Sequence, residues 1–238
     1  MSLCDPDVVR KEYASDNGLR ARASTYQGLA GPDAREAAFG AVAASNPRRV
    51  LEVGCGWGEL AARVRDELGA EVVALDISPR MVELARELGV DAHVGDVQEL
   101  PFANEAFDCA IANWMLYHVP DVHRGLGELA RVLRPGGRLV AATNGKRHLE
   151  ELWQLVGRDK SVEARHFFAE DGAELLQEHF ARIKRVDLES PMIFRDRASV
   201  RGYVSSSIAH KHLAELVPAL DTPLVATRRA TIFVAEKS

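Results

Sequence analysis

Residues 50–60, Val-Leu-Glu-Val-Gly-Cys-Gly-Trp-Gly-Glu-Leu, run an apolar strand straight into three alternating glycines and then into a helix. A dinucleotide-binding loop has the form Gly-x-Gly-x-x-Gly/Ala, whose third small residue lets the helix pack closely on the strand. Gly54 and Gly56 fit that form, but its third position holds Glu59, and the third glycine falls one residue early, at Gly58. Glu52 also sits two positions before the first glycine. A helix N-terminus welcomes an anion, whereas Glu52 would repel a pyrophosphate. The loop therefore suits a ligand with a cationic amino-acid head.

Further landmarks follow in order. Glu59–Leu68 has helical character, and Glu71-Val-Val-Ala-Leu-Asp76 reads as a strand ending in a carboxylate. An acid there suits a ribose diol, because both hydroxyls can donate to one carboxylate. Asp91–Gly95 reads as a third strand, followed by Asp96, Gln98 and the turn Leu100-Pro101-Phe102. Ala106–Asn113 reads as a fourth strand, and Arg131–Thr143 as a helix end, a turn and a fifth strand. Alternating strands and helices over 48–145 predict parallel strands joined by right-handed crossovers, hence an open sheet with helices on both faces. Ligands of such sheets bind beyond the carboxyl ends of the strands. Glu52, the glycine loop, Asp76, Asp96 and Asn113 are thereby expected around one crevice.

The pattern Glu52-x-Gly54-x-Gly56-x-Gly58 resembles the first motif of class I methyltransferases that use S-adenosylmethionine. Phe107-Asp108 at a strand start and Leu133-Arg-Pro-Gly-Gly137 after a helix are similar to further signatures of that family. The resemblance implies a Rossmann-like α/β fold: a seven-stranded, mostly parallel sheet with helices on both faces, an antiparallel last strand between strands five and six, and a small helical lid. It implies S-adenosylmethionine as cofactor, with S-adenosylhomocysteine as product. Glu52, Gly54, Cys55, Gly56, Gly58, Asp76, Ile77, Asp96, Val97 and Asn113 are then the cofactor residues, Asp96 accepting from the adenine amino group. The acceptor is expected to be a small metabolite, methylated by in-line displacement in which alignment and water exclusion dominate. His118, beyond strand four, is a candidate general base, with a structural histidine as the alternative. An N-terminal segment folds over the cofactor in this family, so Tyr13, Arg22 and Tyr26, with Tyr117, are candidate substrate contacts, ordinary packing being the other reading. Trp57 and Cys55 read chiefly as packing residues.

Other classes fit less well. A nicotinamide-dependent oxidoreductase would want a small residue at position 59. An RNA methyltransferase is disfavoured because Asn-Pro-Pro-Tyr is replaced by Asn113-Trp-Met-Leu, and 30 basic against 35 acidic residues give a net charge of −5, which supplies no phosphate-binding field. A cofactor-binding protein without transfer activity stays open. No nucleic-acid partner is expected. His210-x-His212 would point to different faces of a helix, so no metal is expected, and no Gly-x-Ser-x-Gly elbow occurs.

The flanks divide into residues 1–45 as an N-terminal helical lid segment, 46–190 as the core, 191–229 as a lid insertion and 230–238 as the last core strand, all one domain. Expected helices are Asp7–Ala14, Asp33–Ala44, His148–Val156 and Asp171–Phe180, with helical character over Ser199–Leu216. Ile183–Glu189 alternates as a sixth strand. Three cysteines at wide spacing fit a reducing cytoplasm. No apolar run approaches the ~20 residues that span a bilayer. A cytoplasmic monomer or homodimer is expected, with no membrane contact.

Overall fold

The strands of the central sheet are apolar on both faces, as parallel strands covered by helices must be. In the computed structural model, which describes residues 5–25, 30–158 and 167–238, α1 (Pro6–Glu12), α2 (Asn17–Thr25) and α3 (Ala34–Ala43) precede this sheet. The core then alternates β1 (Arg49–Val53), α4 (Glu59–Leu68), β2 (Glu71–Asp76), α5 (Pro79–Glu87), β3 (Asp91–Val94), β4 (Phe107–Asn113), α6 (Val122–Val132) and β5 (Leu133–Asn144). After it come α7 (Glu150–Leu155), α8 (Gly172–Gln177), β6 (Arg182–Phe194), α9 (Arg197–Ser205) and β7 (Leu224–Glu236).

The seven strands lie in the order β3-β2-β1-β4-β5-β7-β6. The first five are mutually parallel, as the alternation of elements predicts, and β7 runs antiparallel between β5 and β6, as the family resemblance implies. One face is covered by α6 and α8, which bring Leu126, Leu129 and Leu176 against Leu51, Phe107 and Leu139. The other is covered by α3, α4 and α5, whose Ala38, Val64 and Val82 meet Val50, Ala74 and Ile111. Each large side chain buried in this way stabilises the fold by about 1.5–3 kcal/mol relative to exposure.

Local chemistry sets the ends of the elements. The Ser78 side chain accepts from the Met81 amide and Pro79 occupies the first turn, so α5 begins directly after β2. Asp108 accepts from the amides of Arg48 (2.7 Å) and Arg49 (3.0 Å) and pairs with Arg134 at 2.8 Å. The carboxylate beside Phe107 thus pins the entry of β1 against β4.

Three expectations change. The polar stretch between Tyr13 and Tyr26 contains α2; its sequence has no apolar stripe for periodicity to detect, and tertiary contacts described below hold it. The insertion expected over 191–229 is shorter, because β6 and β7 pair continuously from Arg182↔Glu236 to Phe194↔Leu224. Pro191 is compatible with this because β6 is an edge strand. Asp171–Phe180 contracts to the six residues of α8. The extended ends of β6 and β7 carry a third cluster: Met192, Phe194 and Ala226 with Trp153 of α7 and Val200, Tyr203 and Val204 of α9.

Candidate active site

The glycine loop leaves β1 with Gly54, Gly56 and Gly58 at φ 63°, 55° and 84°, a region that side chains other than glycine adopt at a cost. Two of the three are also sterically committed. A Cβ on Gly54 would stand 2.7 Å from the Met115 Cβ, and one on Gly58 would stand 2.7 Å from the Ala85 Cβ of α5. The Cys55 amide donates to the Leu75 carbonyl at 3.1 Å, tying the loop to β2. Burial holds the Cys55 thiol far above the ordinary thiol range, hence protonated, which suits packing and not nucleophilic chemistry.

The loop, the ends of β2 and β4 and the N-terminal helices enclose a cavity of about 860 Å³, within the range of small-molecule sites. Glu52, Gly54, Cys55, Gly56, Asp76, Ile77, Asp96, Val97 and Asn113 line it, as do Tyr13, Arg22, Tyr117 and His118. Gly58 does not; its place is the α4–α5 contact. Tyr26 lies outside the described residues.

Two carboxylates stand side by side at the glycine loop. Glu52 is buried, its Oε2 has no hydrogen-bond partner, and burial, with the neighbouring Asp76 charge, pushes its pKa up to about 8. Asp76 accepts from the Gly56 amide through Oδ2 and from the Ser78 amide through Oδ1, both at 2.9 Å. Burial raises its pKa to about 6 against the pull of those amides. Asp96, two residues past β3, is held by the Gln98 amide at 2.9 Å and by the Gln98 side chain. Asn113 accepts from the Ala142 amide through Oδ1, while its buried Nδ2 has no acceptor. The cavity wall therefore presents an unmatched acid and an unmatched donor, both costly to bury without a partner.

The cavity also has an aromatic and basic lining, Tyr13, Arg22, Tyr117 and His118. The Tyr13 hydroxyl and His118 Nε2 lie 3.1 Å apart, their rings edge to face, and burial pushes the Tyr13 hydroxyl up to about 12. His118 also meets the Tyr117 ring edge-on. Arg22 donates to Glu12 at 2.8 Å and to the Ser206 carbonyl at 2.7 Å. The Ser78 hydroxyl donates to the Tyr13 carbonyl at 2.8 Å, fastening α1 to the β2–α5 turn. Asn144, His148, Tyr203 and Arg228 line the cavity as well.

Sequence reasoning missed Trp114, Asn144, Tyr203 and Arg228. Only Trp114 carries a local mark, a φ of 53° at a non-glycine residue immediately after β4, the kind of outlier that gathers at functional sites. Its indole donates to Asn144 at 3.1 Å. Asn144 ends β5, whereas Arg228 lies on β7 and Tyr203 on α9, which packs on the β6–β7 extension, whose length periodicity alone did not reveal.

Residues 51–141 match a family model described as a methyltransferase domain. The chain is similar to the malonyl-[acyl-carrier protein] O-methyltransferase of Serratia marcescens, 32% identical over 165 residues that make up 66% of this chain and 64% of that one. It is also similar to the demethylmenaquinone methyltransferase of Deinococcus radiodurans, 36% identical over 44% of this chain and 47% of the relative. The chain thus spans about half to just under two thirds of the length of these curated relatives. In fold it is similar to a SAM-dependent methyltransferase of Thermotoga maritima, with a TM-score of 0.62, 20% identity, and coverage of 96% of this chain and 99% of that one.

Proposed function

We propose, from the premise that this chain belongs to the class I S-adenosylmethionine-dependent methyltransferases, that it methylates a small-molecule acceptor held beside its N-terminal helices. The observation that carries the reading is the buried Glu52 carboxylate with an unpartnered oxygen, set against a glycine loop and Asp76 in one cavity. An orphaned acid there calls for a cation, and the amino-acid head of S-adenosylmethionine carries an ammonium.

The remaining wall fits the same ligand. Asp76 keeps lone pairs for two ribose hydroxyls after accepting one amide on each oxygen, and Asp96 is set to accept from the adenine amino group. The positive φ values of Gly54 and Gly56 keep the loop free of side chains where the ligand approaches. When bound, S-adenosylmethionine supplies a methyl group on a sulfonium centre, already activated for displacement. The chain's own task is alignment and exclusion of water, which α1 and α2 serve by standing over the loop.

Tyr13 and His118 are the residues placed to hold a proton near the acceptor. With its pKa at about 12, the Tyr13 hydroxyl keeps its proton and orients the His118 ring, and His118 accepts a proton from an acceptor that must lose one. Aromatic rings with Arg22 and Arg228 suit an acceptor that joins an apolar body to an anionic group. The test is calorimetric titration with S-adenosylmethionine, S-adenosylhomocysteine and NAD in parallel. Binding of the first two with no response to NAD is expected; NAD binding alone would overturn the reading.

A further inference from the structure

Away from the cavity, the fold brings together three metal-competent side chains from two separate helices. His123 stands in the first turn of α6, and Glu178 and His179 directly follow α8. One ligand atom from each, an imidazole nitrogen or a carboxylate oxygen, lies within 4.8 Å of the other two. His123 Nδ1 and Glu178 Oε2 are 2.8 Å apart. His179 packs over Gly127, one turn along α6, where a Cβ would stand 3.6 Å from its Cε1 and 3.9 Å from its Nδ1. Glycine at that position leaves room for the imidazole to sit against the helix. His179 Nε2 is shut off from solvent and has no hydrogen-bond partner.

We propose that His123, Glu178 and His179 form a three-ligand site for a divalent ion of the zinc type. Two imidazoles and one carboxylate are the donor set that zinc accepts, with water completing a tetrahedron. Zinc–ligand bonds of about 2.0–2.1 Å place the ligand atoms roughly 3.4 Å apart. His123 and Glu178 are both about half exposed, so small rotations of their side chains close the present separation. None of the three lines the cavity, so the site is independent of the methyl-transfer reading. Its consequence is mechanical: an ion here would clamp α8 to α6, two helices that cover the same face of the sheet. The expectation from sequence that no metal binds rests on local spacing, and 55 positions separate His123 from Glu178.

The experiment uses full-length protein stripped with a chelator, free of any histidine tag and titrated with zinc chloride by calorimetry, alongside His123→Ala and Glu178→Gln. Both altered positions are exposed enough to leave the fold intact, which circular dichroism checks. The expected result is one saturable zinc equivalent in the parent chain, weakened at least about tenfold in each variant, and a zinc-dependent rise in Tm that both variants lose. Cobalt(II) in place of zinc should show visible ligand-field absorption that disappears in His123→Ala. No saturable binding, or equal affinity in parent and variants, would overturn the proposal and leave His123 and Glu178 as a surface ion pair.

Discussion

At the scale of single residues, the chemistry of the site turns on Glu52. In the ligand-free protein its carboxyl stays protonated up to about pH 8, whereas in the unfolded chain it ionises in the ordinary carboxylate range. The unfolded state therefore loses this proton first. Glu52's contribution to stability falls as pH rises between those two values and is level above pH 8. Binding a cationic head favours the ionised form, so ligand affinity should rise by up to about tenfold per unit between pH 6 and 7. The accompanying proton release should appear as a buffer-dependent heat at pH 6.5, and Glu52→Gln should abolish it. An unchanged proton count in that variant would remove Glu52 from the ammonium site. Asp76→Ala should weaken S-adenosylmethionine by about 1–3 kcal/mol, through two lost hydrogen bonds to a charged group. The same affinity in a folded variant would release Asp76 from the ribose. For Tyr13 and His118 the informative comparison, once an acceptor is found, is the pH profile of turnover. His118→Ala should flatten its acidic limb, while Tyr13→Phe should shift it.

At the scale of elements, two junctions decide whether the site exists. The turn from β1 into α4 needs Gly58, because a side chain there meets both a positive φ and the Ala85 Cβ at 2.7 Å. Gly58→Ala should cost about 1–2 kcal/mol from backbone conformation alone and more from the contact. Its effect should appear in urea unfolding as well as in ligand affinity, since Gly58 packs α4 on α5 and does not line the cavity. The junction of β1 with β4 rests on Asp108. Asp108→Ala removes the acceptor of two amides and should lower stability by roughly 1–3 kcal/mol, with the denaturant slope unchanged. The sequence marked both positions but neither junction: the glycine spacing put Gly58 among the cofactor residues and the family resemblance marked Asp108 beside Phe107, and the packing role of each came only with the fold. The β6–β7 pair was half legible. Val186, Leu188, Ser190, Met192 and Phe194 alternate with more exposed residues, yet Pro191 reads as an end until the strand is known to be an edge.

At the scale of the whole molecule, the N-terminal helices and the segment after α9 are joined by one buried acid. Glu12 accepts from Arg22 of α2 at 2.8 Å, from the Ile208 amide at 2.6 Å and from the Ser207 hydroxyl at 3.3 Å. It fastens α1, α2 and the chain beyond α9 beside the cavity that Tyr13 and Arg22 line. Glu12→Ala would strand the partly buried Arg22 and should destabilise by about 3 kcal/mol. Limited proteolysis should then cut first near Ser206, while a cleavage pattern matching the parent chain would deny the clasp any role in closing the cavity. What the sequence determined by itself was the order of the core strands and helices, the glycine loop and the two acids at the ends of β1 and β2. These are local: period, turn chemistry and spacing act within a few residues. The tertiary structure alone decided which distant groups meet. Tyr13 and His118 are separated by 105 positions and Glu12 and Ile208 by 196. Such encounters depend on how whole elements pack, and packing between elements distant along the chain leaves no period in the sequence to read.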